Sequence, residues 1–334
     1  MINGVNHDRA VLGADVGGST TRVAVATAAG EVVAVVRGPA GNPAAVGLPA
    51  AIDAVRSACT EALRLAHERA GTPLEPVRAV IGLAGATTLR GTPSADVFAS
   101  GVLPGVSVRL VSDFAVALSS ATDRPRGIVT IAGTGSGAME IADGEDAVRR
   151  DGWGWLLGDE GSGFWLGREA VRATLRAGDA GDPPTGLSAA VHEALGTSSV
   201  TELIAACYGR PPRDLAELAP VVSRHADDPT AAVILEQAAV LVADRVLGLR
   251  QGREDLPVVL AGSLLTPGGP LADPVRTALL AAGVTDLRHA GDGLAGALWL
   301  AGRPDQDDTT TPRARWSQLL GSLDRCRATA RPHQ

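Results

Sequence analysis

The sequence predicts an α/β protein of two lobes, built on a repeated strand–glycine turn–strand unit. Three observations carry that prediction. The chain is 334 residues long and 45% hydrophobic, which is more than one core usually organises. Short apolar runs bounded by Gly alternate with longer stretches of helical spacing. The order strand, Gly-rich turn, strand, small turn then occurs twice, at 10–31 and at 127–145, closed each time by a Gly-Glu pair (Gly30-Glu31, Gly144-Glu145). Two unrelated hairpins could leave similar glycines, but the matching order favours an internal duplication.

Strands are expected at 10–16, 21–27 and 32–37, with turns at 17–20 and 28–31. Ile52, Val55, Cys59, Leu63 and Ala66 recur at helical spacing and predict a helix over 48–70, ended at 71–76 by Gly and Pro. Strands follow at 78–84 and 106–111, then a helix from 114 to 120. The second repeat gives strands at 127–132 and 138–141 around a Gly-rich turn, with another turn at 142–145. Beyond it the pattern is helical at 163–177, 187–195, 201–207, 215–225 and 229–251. A strand at 257–261, helices at 273–282 and 293–301 with a short strand between them, a polar linker at 302–312 and a last helix at 313–330 complete the reading. The expected lobes are 1–118 and 119–302, with 303–334 as linker and C-terminal helix.

Composition excludes several functions. The chain has no lysine, so all 30 basic residues are Arg. A Walker A lysine and a Schiff-base mechanism are therefore ruled out. A net charge of −7, no basic run and 3% aromatic residues speak against nucleic acid as a partner. No apolar stretch approaches the roughly 20 residues that cross a bilayer, and residues 1–10 carry no export signal. Cys59, Cys207 and Cys326 are odd in number and far apart, which points to a reducing cytoplasm rather than a disulfide framework. The six histidines show no metal-ligand spacing, and neither a hydrolase elbow nor a zinc helix is present.

Five segments carry chemistry. In the first, Asp15 ends a strand ahead of Gly17, Gly18, Ser19 and Thr20. The glycines let backbone approach an anion and the hydroxyls add donors, while Asp15 is placed to hold a hydrated Mg²⁺. Taken alone, an ordinary hairpin turn would look the same. In the second, Gly133, Thr134, Gly135, Ser136 and Gly137 form another glycine turn. Gly133, Gly135 and Ala138 match a dinucleotide fingerprint in spacing, but that fingerprint must open a helix and a strand follows here. Two such turns suit a polyphosphate. In the third, Asp113 stands where a strand gives way to a helix, as a proton acceptor for a substrate hydroxyl or as a helix cap. The fourth, running from Asp151 through Gly152, Trp153, Gly154 and Trp155 to Asp159 and Gly163, suits a sugar site with an aromatic wall, unless the tryptophans are core. In the fifth, a buried strand runs into Gly262 and Ser263, a small-residue turn that can pass close to a nucleobase.

These five elements, in this order, resemble the actin/hexokinase/Hsp-type ATPase superfamily over about residues 10–301. They match its phosphate 1, connect 1, phosphate 2, adenosine and connect 2 segments. More narrowly, the chain is similar to the BadF/BadG/BcrA/BcrD ATPase family and its N-acetylglucosamine kinase branch. The Gly-Trp-Gly run ending in Gly-Asp-Glu-Gly-Ser is the most specific part of the match.

The resemblance implies a two-lobed actin-like ATPase (ribonuclease H-like) fold with duplicated domains, binding ATP with Mg²⁺ between its lobes. It implies phosphorylation of an amino sugar, N-acetylglucosamine to N-acetylglucosamine 6-phosphate, with glucosamine or N-acetylmuramic acid as alternatives. Asp113 falls on the family's catalytic base, Asn42 on its sugar-binding Asn, and Ser136, Gly137, Gly152, Trp153, Gly154 and Asp159 on its sugar site. Ser19 and Thr134 fall on ATP-phosphate positions and Gly262 on the adenosine loop. Family phosphate 1 loops usually read Asp-Gly-Gly-Gly-Thr, often followed by Lys; here Val16 replaces the first Gly and Thr20 stands at the basic position. That departure leaves charge neutralisation to Mg²⁺ and to Arg22, if it reaches. A homodimer is a further family expectation. An ATPase activator with a bridging iron–sulfur cluster would need cysteines near the glycine turns, and a non-catalytic actin-like binding module would need neither Asp113 nor the Trp-rich run.

Overall fold

The computed structural model describes residues 9–89, 91–184, 186–302 and 312–330. Residues 1–8, residues 303–311 of the linker expected at 302–312, and His333 lie outside the described residues. Strands β1 (Arg9–Val16), β2 (Thr21–Thr27), β3 (Val32–Gly38), β4 (Glu75–Leu83) and β5 (Ser107–Ser112) form one sheet in the order β3-β2-β1-β4-β5. Strands β6 (Arg126–Ala132), β7 (Ser136–Ala142), β8 (Glu145–Asp151), β9 (Val258–Ala261) and β10 (Leu287–His289) form the other in the order β10-β9-β6-β7-β8. Taken from its opposite edge, the second order repeats the first strand for strand. β1 pairs parallel with β4 and β4 with β5; β6 likewise pairs parallel with β9 and β9 with β10. The duplication expected from the paired glycine turns is therefore real, and the architecture is the duplicated α/β fold of the actin-like ATPases.

The helices are α1 (Pro43–Val46), α2 (Leu48–Ala70), α3 (Ala86–Leu89), α4 (Pro93–Val102), α5 (Asp113–Ala121), α6 (Gly163–Asp179) and α7 (Gly186–Leu195). They continue as α8 (Val200–Tyr208), α9 (Ala219–Arg224), α10 (Pro229–Arg250), α11 (Ala272–Ala281), α12 (Gly293–Ala301) and α13 (Pro312–Ala330). The 23-residue α2 buries Ile52, Val55, Cys59 and Ala66 of the stripe its spacing predicted, together with Ala51, Ala58 and Ala62, while Leu63 is only partly buried. The expected helix at 215–225 is instead a 3₁₀ segment, Pro212–Leu218, followed by α9. α4 and β8 were not anticipated. β8 reads Glu-Asp-Ala-Val-Arg-Arg-Asp, with Ala147 to Arg150 exposed. It is an edge strand, and charged edges carry little apolar pattern.

Contacts group the described residues up to Arg126, Ile141–Asp146 and those from Ala290 onward into one unit, and Gly127–Glu140 with Ala147–His289 into another. This differs from the expected lobes of 1–118 and 119–302. α12 belongs with the first unit because its apolar, small-residue sequence lets backbone meet backbone. A Cβ on Gly13 of β1 would lie 2.5 Å from the Leu298 nitrogen, and one on Gly296 would lie 2.0 Å from the Val116 carbonyl of α5. α13, whose docking the sequence left open, also belongs there. Leu319, Leu323 and Cys326 pack with Ala24 and Ala26 of β2 and with Leu294, Ala295 and Leu298 of α12. Ser322 Oγ accepts from the Val32 N–H at 2.8 Å, and Trp316 Nε1 donates to the Ser119 carbonyl at 2.8 Å.

Candidate functional site

In the first unit, β1 delivers Asp15 to the end of the central strand, and the hairpin register sets it directly opposite Arg22 of β2. The Arg22 guanidinium bonds the Asp15 carboxylate through Nη2 and reaches Asp292 through Nη1 at 3.0 Å. Arg22 therefore does reach the phosphate 1 segment, but in this structure it serves a carboxylate. Asp292 caps α12, accepting the Leu294 N–H at 2.9 Å, and takes a second guanidinium from Arg327 of α13. Burial alone would raise the Asp292 carboxyl; Arg327, Arg22 and the Leu294 N–H outweigh it and hold the group below its ordinary value. Burial acts against the charge on Arg22, yet Asp15 and Asp292 raise it above its ordinary value. The turn beyond is closed by the Gly17 N–H donating to the Thr20 carbonyl at 2.9 Å, with Gly18 and Ser19 exposed.

Asp113 opens α5, but it is not the cap. That role falls to Ser112, whose Oγ accepts the Ala115 N–H at 3.2 Å and donates to Asp146 Oδ1 at 2.5 Å. The Asp113 carboxylate, half-buried, accepts the N–H of Phe114 at 3.2 Å. Burial pushes its pKa up to about 6, local N–H donors oppose the rise, and the Asp146 and Asp15 charges add to it. Three acids thus share one corner. Asn42 lies in the segment whose Gly41 N–H meets the Gly17 carbonyl at 3.4 Å. Its Oδ1 caps α1 through the Ala44 N–H at 2.9 Å, and its Nδ2 donates to the Ala84 carbonyl at 3.0 Å. One N–H and one lone pair remain to it.

In the second unit the predicted residues converge on the turn between β6 and β7. The Gly133 N–H donates to the Gly135 carbonyl at 2.9 Å, and the carbonyls of Gly133 and Thr134 accept the N–H groups of Gly163 and Phe164 at the start of α6. Asp159 lies against Gly135, where a Cβ would be 2.7 Å from its Oδ2, and it accepts the backbone N–H of Ser136. Burial first, then Asp151, raises its carboxyl against those hydrogen bonds. Gly137 and Gly152 are in backbone contact, since a Cβ on Gly137 would sit 2.9 Å from the Gly152 Cα. Gly262 has φ +88 and would place a Cβ 2.3 Å from the Ala132 carbonyl, so only glycine brings the loop after β9 onto the end of β6. Ser263 Oγ faces Gly133, at 3.9 Å from where its Cβ would be.

Asp151 organises the loop that follows. It accepts N–H groups from Gly152 and Asp159 at 2.8 Å and from Glu160 at 3.0 Å, and pairs with Arg245 of α10. Arg245 also donates to Ser136 Oγ at 2.7 Å. Sequence reasoning missed this hub because Arg245 lies in the middle of a 22-residue helix with no local mark. Asp146 was missed too, although its place directly after the closing turn of the second repeat was a usable signal. The two tryptophans are not core: Trp153 is 57% and Trp155 40% exposed. Trp153 lines a cavity of about 640 Å³ with Arg149, Leu157 and Leu241.

Among the described residues no three His, Cys, Asp or Glu side chains are grouped to hold a metal ion, and no helix is long and apolar enough to cross a membrane. A family model described as the BadF/BadG/BcrA/BcrD ATPase family matches residues 12–275. An N-acetyl-D-glucosamine kinase of Dictyostelium discoideum is 32% identical over 180 residues, covering 50% of this chain and 56% of that protein. The chain thus matches little more than half the length of that relative. An N-acetylmuramic acid/N-acetylglucosamine kinase of Clostridium acetobutylicum is 28% identical over 217 residues, 64% of this chain and 69% of that one. Among solved structures, a candidate N-acetylglucosamine kinase from Chromobacterium violaceum superposes with a TM-score of 0.69 at 29% identity, over 88% of this chain and 99% of that one.

Proposed function

From the premise that the chain belongs to the BadF/BadG/BcrA/BcrD ATPase family, we propose that it is an ATP-dependent kinase of an amino sugar. The substrate we assign is N-acetylglucosamine, phosphorylated on its 6-hydroxyl. The observation that carries this reading is Asp113: a half-buried carboxylate at the start of α5, with a pKa near neutrality, about 6, beside Asp15. Such a group is ionised at neutral pH yet basic enough to take a hydroxyl proton.

In the proposed reaction the sugar hydroxyl oxygen attacks the γ-phosphorus and the bond to the ADP oxygen breaks. Asp113 takes the hydroxyl proton and later releases it to water. The transition state is loose, so orientation by Asp113, Asn42 and Asp159 matters more than the strength of the base. Gly17, Gly18, Ser19 and Thr20 in one repeat, and Gly133, Thr134 and Gly135 in the other, are assigned to the phosphates, with Gly262 and Ser263 on the adenosine. Ser136, Gly137, Gly152, Trp153, Gly154 and Asp159 are assigned to the sugar. Asp15 suits magnesium: Arg22 engages its Oδ2, while its Oδ1 takes no hydrogen bond from the described residues. One carboxylate plus nucleotide phosphates and water is what this ion prefers. Bound with the nucleotide, it would supply charge neutralisation to the phosphates.

N-Acetylmuramic acid is the second reading, favoured by the name of the Clostridium relative. An activator role finds no support in the cysteines, which lie on α2, α8 and α13, away from both glycine turns. The free thiols are consistent with the reducing cytoplasm we assign to the protein, and the homodimer expected by resemblance is checked by sedimentation. The deciding experiment is sugar-dependent ADP release across N-acetylglucosamine, N-acetylmuramic acid and glucosamine. We expect the highest kcat/KM with N-acetylglucosamine; release unaffected by any of the three would overturn the kinase reading.

A further inference from the structure

The acid proposed for the cation does not carry an unshared charge. Asp15 already holds a resident cation, the Arg22 guanidinium, which is shared with Asp292; Asp292 is in turn shared with Arg327. Two carboxylates thus alternate with two guanidiniums, and the row as a whole is neutral. The row reaches from the end of β1 to α13, and both Asp292 and Arg327 lie beyond the residues matched by the family model, 12–275.

Packing fixes the members of this row. β2 carries Arg22, the N-terminus of α12 carries Asp292, and α13 packs Leu319, Leu323 and Cys326 onto both elements. Gly293 follows the capping Asp292, and a Cβ there would sit 3.0 Å from Asp15 Oδ2, so the carboxylate rests against the start of α12. Asp292 satisfied by Arg327 leaves Arg22 for Asp15. Without Arg327, Arg22 is the only guanidinium among the described residues left to Asp292, and the row gains a net negative charge.

We propose that Arg327 is a positioning residue for the phosphate 1 corner. By occupying Asp292 it keeps Arg22 on Asp15, so that a divalent cation competes with Arg22 for the charge of that carboxylate and binds weakly until the nucleotide adds its own oxygens. The inference rests on the reading of Asp15 as the cation's carboxylate. It gives α13 a task beyond covering the sheet.

The test is Mn²⁺ binding to the full chain, followed by electron paramagnetic resonance without nucleotide or sugar. Arg327→Gln and Arg327→Ala should bind Mn²⁺ about fivefold more tightly than the native chain, the scale of a typical coupling between sites. Arg327→Lys should restore the native affinity. Ser322→Ala removes the bond to the Val32 N–H and loosens α13 without touching the charged row, so its Mn²⁺ affinity should stay native even where its melting temperature falls. Equal tightening in Ser322→Ala, affinity within twofold of native in both Arg327 variants, weaker binding, or no detectable binding in any protein would each overturn the proposal. Because the measurement involves no turnover, a chain that phosphorylates no amino sugar but shows the Arg327 effect would refute the kinase reading and leave this inference standing.

Discussion

In an Asp113→Asn variant the amide oxygen can still accept the Phe114 N–H, but the charge that the corner disfavours is gone. Burial, with Asp146 and Asp15 adding to it, carries the carboxyl from an ordinary 3.8 to about 6. Two pH units correspond to a ceiling of about 3 kcal/mol against the ionised form. The carboxylate keeps some contact with solvent, so about 1–2 kcal/mol is the expected effect. The sign follows from linkage. Below about pH 3 the folded and unfolded carboxyls are both protonated and nothing is lost. As pH rises to about 6 the unfolded chain ionises first, and native stability falls relative to the variant; above that the gap is constant. Urea unfolding of both proteins between pH 3 and 8 measures the gap directly. Asp113→Asn should be the more stable protein at pH 8, with the gap smallest at pH 3. Its sugar-dependent turnover should fall about 10²–10⁴-fold, the usual worth of a general base, with ADP affinity kept. A variant less stable than the native chain at pH 8, or a gap that ignores pH, would refute the account of the corner. Near-normal turnover would refute the role of Asp113.

Other sites give sharper structural outcomes. Arg245→Met leaves Asp151 buried with three N–H donors and no counter-charge; about 3–5 kcal/mol should be lost. Differential scanning calorimetry should show the fall, and adding Asp151→Asn should recover part of it. Gly135→Ala pushes a methyl to 2.7 Å from Asp159 Oδ2, so kcat/KM for the sugar should drop about 10²-fold, as small misplacements do, with little change in melting temperature. Gly262→Ala adds strain at φ +88 and a contact of 2.3 Å with the Ala132 carbonyl. About 1–3 kcal/mol of stability should go, together with ADP affinity measured by calorimetry.

The fold was legible where local chemistry and tertiary role agree. The stripe of α2, the hairpins around the two glycine turns and the duplicated order were all written in periodicities of 3.6 and 2. What stayed hidden was set by partners distant in sequence. β8 carries its role as an edge strand in charges, which no apolar pattern reveals. Asp113 looked as much like a cap as a base, and only the neighbouring Ser112 Oγ, bonded to the Ala115 N–H, separates the two. Trp153 and Trp155 could be core or wall until their exposure was known. The hubs were the least visible. Asp151 meets Arg245 across 94 positions and Arg22 meets Asp292 across 270, distances over which a single sequence holds no signal.

Duplication explains the scaffold, and its asymmetry explains the chemistry. Strand for strand the two repeats superimpose in order, yet the residues at equivalent corners differ in kind. β1 ends Asp15-Val16 before its glycine turn, whereas β6 ends Ile131-Ala132, so the acid is found in the first repeat alone. The second turn has no carboxylate of its own at that corner. It is backed instead by the N-terminus of α6 and by Asp159, whose carboxyl accepts the Ser136 N–H. A duplicated fold needs both copies of the turn to keep its hairpins, but under the proposed function a single cation site suffices for one triphosphate. The first copy is thereby free to specialise toward charge and the second toward hydrogen bonding. That division also suits a chain with no lysine: the guanidiniums at the first corner are arginines anchored by carboxylates rather than a basic side chain of the turn itself.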